Sequence, residues 1–233
     1  MKIFFKGFNY SQDGPGNRLV YHLQGCNMRC PWCSNPEGMA LDGGEDVSVD
    51  QLILECERSR AMFFTGGGVT FTGGEATIQW RELCEVLRRL REAGIHTAIE
   101  TNGSSPHLFE IQEHVDYLMM DFKHFDADAF AKFTGVGIDV LRKNFEELCS
   151  SGRQLHVRIP LINGVNADGG EEFAKYFSRF DTSNVTFELL PYHEYGKKKW
   201  KKEYAVKDGF VSREQIDTFK SIFLQNGLKI VNT

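Results

Sequence analysis

The chain has 233 residues, a formal net charge of −5 and 25% charged side chains, enough to bury a substantial core and too acidic on balance for a general nucleic-acid binder. Met1 to Lys6 hold too short an apolar run for a secretory leader, and no later stretch reaches membrane-spanning length. A cytosolic protein with reduced thiols, bound to neither membrane nor nucleic acid, is therefore expected. No linker, low-complexity tract or repeat divides the sequence, so 1–233 reads as a single domain.

In chain order, the pattern after an N-terminal segment alternates strand and helix. Arg18 to Gln24 reads as a strand that delivers a cysteine-rich loop at its carboxyl end. Ser48 and Gln51 have capping-box spacing for a helix toward Met62. The strand Val69–Thr72 ends at Gly73-Gly74-Glu75, and Trp80, Leu83, Cys84, Leu87 and Leu90 then recur at helical spacing before Gly94. Strand His96–Glu100 leads to Thr101-Asn102-Gly103 and a helix from about Pro106 to His114, and strand Tyr117–Asp121 leads to Phe122-Lys123. Helical patterns follow at Asp126–Phe133 and Asp139–Cys149, then strand Leu155–Pro160 carrying Arg158. Phe173, Tyr176, Phe177 and Phe180 share one face of an amphipathic stretch, Val185–Leu190 is a strand leading to Pro191-Tyr192-His193, and Ser212 with Gln215 repeats the capping-box spacing. Leu228–Val231 reads as a last strand.

Such alternation implies parallel strands joined by right-handed crossovers. The glycine and polar residues collect at the carboxyl ends of the strands, where a β/α barrel places its active site. An eight-unit barrel takes about 250 residues, so this length fits an α/β fold of the partial (β/α)6 TIM-like barrel type.

Cys26, Cys30 and Cys33 fall within eight residues, broken by Gly25 and Pro31, and no further cysteine lies nearby. Structural zinc is usually closed by four ligands, and cysteinyl iron–sulfur clusters ordinarily take one thiolate per iron. Three thiolates therefore leave one metal position for another ligand. A zinc site closed by a remote histidine such as His22 is the competing reading, as a non-catalytic protein-binding module. Cys56, Cys84 and Cys149 sit in helical patterns and read as core residues. Gly66-Gly67-Gly68 and Gly73-Gly74-Glu75 bracket one strand and read either as turns or as a cradle for a ligand.

Cys26-x-x-x-Cys30-x-x-Cys33, with an aromatic before the last cysteine, followed by Gly73-Gly74-Glu75, resembles the radical S-adenosylmethionine superfamily. Asp13-Gly14-Pro15-Gly16, Cys33-Ser34-Asn35-Pro36-Glu37, Thr101-Asn102-Gly103, Asp121-Phe122-Lys123 and Leu190-Pro191-Tyr192-His193 with Gly196 and Trp200 resemble the glycyl-radical enzyme activating enzymes within it. The resemblance implies one 4Fe–4S cluster on Cys26, Cys30 and Cys33, its fourth iron chelated by S-adenosylmethionine. Reductive cleavage would give methionine and a 5′-deoxyadenosyl radical that takes a glycine α-hydrogen from a partner, with pyruvate formate-lyase the expected one. It also implies a flavodoxin- or ferredoxin-type electron donor, and a monomer is expected. By the same resemblance Gly73, Gly74 and Glu75 meet the methionine amino group. Asn35, Lys123, Arg158 and His193 line the cofactor site, the last three as catalytic residues, and Asp13 touches the partner. Glu100, Thr101, Met119 and Asp121 match the oxygen ligands of a monovalent cation, Na+ or K+, with Glu100 in place of an aspartate. A second cluster segment is absent between Cys33 and Gly66. A radical enzyme acting on a small molecule or nucleoside precursor is the alternative within the superfamily. The run Lys197–Lys202 around Trp200 reads as a solvated loop or a surface that steers an acidic partner or donor.

Overall fold

Side-chain caps start the helices where the sequence marks them. In the structure, a computed structural model describing residues 1–10 and 12–231, Ser48 and Ser212 each accept the backbone N–H three residues on, and Gln51 and Gln215 return the contact. Among the described residues eight strands form one open sheet in the order β3-β1-β2-β4-β5-β6-β7-β8. Pairing is parallel between β2 (Asn17–Leu23) and β4 (Gly68–Gly73), between β4 and β5 (Thr97–Thr101), and between β7 (Leu155–Leu161) and β8 (Val185–Pro191). A mostly parallel sheet that does not close is the architecture of a partial barrel.

The described residues fall into two compact units, one within 1–27 and 35–119, the other within 28–34 and 120–231. In the first unit the parallel register has a direct chemical consequence. Leu19, Tyr21 and Leu23 of β2, Val69 and Phe71 of β4, and Ile99 of β5 are almost fully buried, in the unit that also holds α1 (Val49–Arg58) and α2 (Trp80–Glu92). Of the alternate positions, Arg18, His22, Thr70, Thr72 and Glu100 are polar, while Val20 and Ala98 are apolar and buried. In the second unit β6 (Tyr117–Asp121) ends beside an aromatic core. Phe122, Phe145, Phe173, Phe177, Phe187, Phe219 and Phe223 are all fully buried, with Phe122 and Phe177 edge to face at 4.9 Å. Phe122 follows β6, and the others come from α5 (Asp139–Ser151), α6 (Gly170–Phe177), β8 and α7 (Arg213–Gln225). The helices α3 (Leu108–Gln112) and α4 (Ala127–Thr134) are short, and α4 ends on Gly135 in the left-handed region.

Three features differ from the sequence reading. The N-terminal segment is a nine-residue strand, β1 (Lys2–Tyr10), antiparallel to β2 and to the two-residue β3 (Glu45–Asp46). Its aromatic residues hide the alternation: Ile3 is buried while Phe5, Phe8 and Tyr10 are exposed, and a register shift falls between Ile3 and Phe5. Leu228–Val231 makes no strand but a single bridge between Ile230 and Phe187, closed by Phe187 N–H to Lys229 O at 2.8 Å and Val231 N–H to Phe187 O at 2.9 Å. Cys84 is half-buried on α2, whereas Cys56 and Cys149 are core residues. No helix among the described residues is long and apolar enough to cross a membrane.

Candidate functional site

In the first unit the segment after β4 is built around Glu75. Its carboxylate is 3% exposed and accepts four hydrogen bonds, from Thr77 N (3.0 Å), Thr77 Oγ1 (2.6 Å), Thr101 Oγ1 (2.7 Å) and Asn102 N (2.6 Å). Glu75 thus ties the end of β4 to the end of β5, joining Gly73-Gly74-Glu75 to Thr101-Asn102-Gly103. Glu75 N–H also donates to Gly25 O at 2.7 Å, which attaches the same segment to the residue before Cys26. Gly73 and Gly74 are required for that approach. Gly73 has φ +117°, and a Cβ on Gly74 would run into the carbonyl oxygens of Gly25 and Gly38. Cys26 is buried and its N–H donates to Met39 O at 3.3 Å. Asn35 is half-buried and its carbonyl accepts from Gly38 N at 3.0 Å.

Of the residues matched to a cation site, Glu100 Oε2 accepts from Thr72 Oγ1 at 2.6 Å, Thr101 and Met119 are buried, and Asp121 pairs with Lys123 Nζ at 2.7 Å. His22 is half-buried on β2 and lies against the rings of Phe4 and Phe5, with centroids 5.7 and 5.3 Å away. Asp13 belongs to the opposite end of the strands, ahead of β2. Its carbonyl accepts from Thr70 Oγ1 at 2.7 Å and its carboxylate pairs with Asn9.

The residue that builds this loop is Arg18, which sequence reading did not single out. Fully buried, it donates to Thr70 Oγ1 (2.6 Å), Pro15 O (3.0 Å) and Val69 O (2.7 Å), and meets His96 Nδ1 at 3.3 Å. Burial brings its guanidinium down to about 10, against the opposing pull of Asp116 and Asp13. Burial, together with the Arg18 charge, also holds His96 below the usual imidazole range.

The second unit holds Cys30 and Cys33. Cys33 N–H donates to Cys30 O at 3.2 Å, and Arg29 N–H to Thr134 O at 2.8 Å. A strap downstream of β8 fastens this turn. Trp200 Nε1–H donates to the Cys33 carbonyl at 3.1 Å, and a Cβ on Gly196 would stand 2.5 Å from Ser34 Cα and 2.6 Å from Cys33 O. The sequence separation of 167 residues explains why Gly196 and Trp200 show up only as isolated motif positions. Lys197 is paired with Glu194 at 2.9 Å, and Lys198, Lys201 and Lys202 are exposed.

Lys123 is half-buried on Asp121. Arg158 forms an ion pair through Nε with Glu188 Oε2 at 3.3 Å, and His156 Nε2 meets the same oxygen at 3.0 Å. His193 stacks on Tyr195 at 4.2 Å and accepts its backbone N–H at 3.4 Å, and burial lowers its pKa, which keeps the imidazole neutral near pH 7.

The donor set suits an iron–sulfur cluster. Burial pushes the Cys30 thiol up to about 11 against the opposing charge of Lys123, so a buried thiolate there needs a strong positive partner, which iron supplies. Soft thiolate donors select such metals. Among the described residues no three His, Cys, Asp or Glu side chains gather on one point as ligands of a single ion do; a cluster takes each thiolate on a separate iron.

The model of the radical SAM superfamily matches residues 20–177. A pyruvate formate-lyase-activating enzyme of Clostridium pasteurianum is 34% identical over 206 residues, covering 84% of this chain and 85% of that protein. A 4-hydroxyphenylacetate decarboxylase activating enzyme of Clostridioides difficile (strain CD196) is 29% identical over 287 aligned positions, covering 93% and 90%. The crystal structure of a domain of pyruvate-formate lyase-activating enzyme from Bacteroides vulgatus superposes with a TM-score of 0.61 at 28% identity, covering 71% of this chain and 98% of that one.

Proposed function

Because the chain belongs to the radical SAM superfamily, we propose that it activates a glycyl-radical enzyme, with pyruvate formate-lyase as the partner. When bound, a reduced 4Fe–4S cluster and S-adenosylmethionine supply a 5′-deoxyadenosyl radical able to take a glycine α-hydrogen. Cys26, Cys30 and Cys33 hold the cluster. Gly73 and Gly74 bring backbone close to the methionyl end of the cofactor, and the four bonds on Glu75 make that side chain the brace of the segment. Asn35, Lys123, Arg158 and neutral His193 complete the polar lining, and Asp13, on the loop built by Arg18, meets the partner.

The observation that carries the choice of partner is length. The alignment with the decarboxylase-activating relative spans 287 positions against a chain of 233 residues, so that relative holds segments this chain lacks. The alignment with the pyruvate formate-lyase-activating relative spans 206. A flavodoxin- or ferredoxin-type protein delivers the electron, a monovalent cation sits with Glu100, Thr101, Met119 and Asp121, and the activase is a cytosolic monomer.

The test is electron paramagnetic resonance of pyruvate formate-lyase mixed anaerobically with the reduced protein and S-adenosylmethionine. A glycyl radical is expected. Its absence, with 5′-deoxyadenosine still released, would sink the choice of partner and leave the cofactor chemistry standing. Rates unchanged in alkali-free buffer would remove the cation.

A further inference from the structure

Glu188 of β8 is a carboxylate directly opposite Arg158 of β7, and nothing in the reaction above uses it. The parallel register sets His156 opposite Thr186 and Arg158 opposite Glu188 on β7 and β8. The alternate residues, Leu155, Val157, Ile159, Val185, Phe187 and Leu189, are buried and apolar. Glu188 is 5% exposed and His156 3%, so both are withdrawn from water, where an ionised carboxylate persists only with hydrogen-bonded or charged partners.

Those partners form a chain: Thr186 Oγ1 meets His156 Nδ1 at 2.9 Å, His156 Nε2 meets Glu188 Oε2 at 3.0 Å, and the same oxygen meets Arg158 Nε at 3.3 Å. Each end is fixed differently. His156 and Thr186 lock the carboxylate in place, and its charge faces the guanidinium of a long, rotamer-rich side chain across an ion pair. The ion pair draws the guanidinium toward β8. An arginine held in this way loses less freedom when a ligand arrives than one free to turn.

We infer that Glu188, seated by His156, is the positioning residue that aims Arg158 at S-adenosylmethionine. This rests on the cofactor-binding reading of Arg158. The pairing also explains the polar doublet on β8: Thr186 and Glu188 both serve the side chains opposite them on β7, which an isolated structural ion pair would not require.

The experiment is equilibrium dialysis of S-adenosylmethionine against anaerobically reconstituted, oxidised protein, in which no turnover occurs. Wild type, Glu188→Gln, Arg158→Ala and the double variant are compared at equal iron content. The expected result is about tenfold weaker binding for each single variant, with the double variant no weaker than Arg158→Ala alone, because residues acting through one another are non-additive. Glu188→Gln binding like wild type while Arg158→Ala is weakened would overturn the positioning role alone. So would Glu188→Gln weakening the Arg158→Ala protein by the same factor as wild type. Both single variants binding like wild type would overturn the reading of Arg158 together with this one. Should Glu188→Gln not reconstitute, Glu188→Asp, which withdraws the charge by one methylene, takes its place in all arms with the same outcomes.

Discussion

Replacing Glu75 by glutamine isolates the brace between the ends of β4 and β5. The side chain keeps its shape, but one carboxylate oxygen becomes an amide NH2 that cannot accept. Oε1 takes Thr77 N, Thr77 Oγ1 and Thr101 Oγ1, and Oε2 takes Asn102 N, so either orientation of the amide sets a donor against a donor. At a site 3% exposed water offers little relief. A buried donor left without an acceptor costs about 1–3 kcal/mol, and the surviving bonds lose their charge assistance. Together these give a loss of about 3 kcal/mol. Urea unfolding of the apoprotein under anaerobic reducing conditions, followed by circular dichroism, reads this as a midpoint lower by about 1 M if m is about 3 kcal/mol/M. Glu57→Gln, on the exposed face of α1, serves as the control and should stay within about 0.5 kcal/mol of wild type. A loss below about 1 kcal/mol for Glu75→Gln would refute the four-bond account and return the carboxylate to direct cofactor contact.

Further outcomes follow from the same geometry. Arg18→Lys should destabilise by about 3–5 kcal/mol, nearly as much as Arg18→Ala, because an ammonium cannot span Thr70, Pro15 and Val69 together; a wild-type unfolding midpoint for Arg18→Lys would contradict this. Gly196→Ala should push the strap off Cys33 and lower iron after anaerobic reconstitution below the value of about four per chain expected of one cluster, while Trp200→Phe, losing one hydrogen bond to Cys33 O, should cost only about 0.5–1.5 kcal/mol. Iron equal to wild type in Gly196→Ala would count against the strap. Burial depresses His96, His124 and His193 in the fold, so the unfolded chain takes up protons first as pH drops through about 6.5. Apoprotein stability should be full above that pH and decline toward pH 5.5; a urea midpoint that holds or rises over that range would show the opposite sign.

Much of the architecture could be read from spacing because local chemistry and packing agree. The capping boxes at Ser48 and Ser212 form as their sequences require, and the strands β2, β4, β5, β6, β7 and β8 fall within a residue or two of their apolar runs. β1 was hidden because Phe5, Phe8 and Tyr10 stand exposed where alternation calls for polar residues. The cysteine spacing and the glycines after β4 marked the candidate site in the sequence, since compact ligands demand bare backbone and soft donors at short range. Arg18, Glu188 and the strap of Gly196 and Trp200 were not legible, because their meaning lies in partners far along the chain. Arg18 reaches Thr70 across 52 positions and Trp200 reaches Cys33 across 167. Only a strand register or a loop path brings such pairs together, and no local pattern carries either.

On the function proposed above, Cys26, Cys30 and Cys33 hold a cluster that splits S-adenosylmethionine by one electron. The most direct measurement is chromatographic quantification of 5′-deoxyadenosine from anaerobically reconstituted protein given dithionite and S-adenosylmethionine, beside the Cys30→Ala variant. Equal amounts of 5′-deoxyadenosine and methionine are expected from the wild type and none from the variant; no product from iron-replete wild type, or equal product from both, would overturn the assignment of the three cysteines.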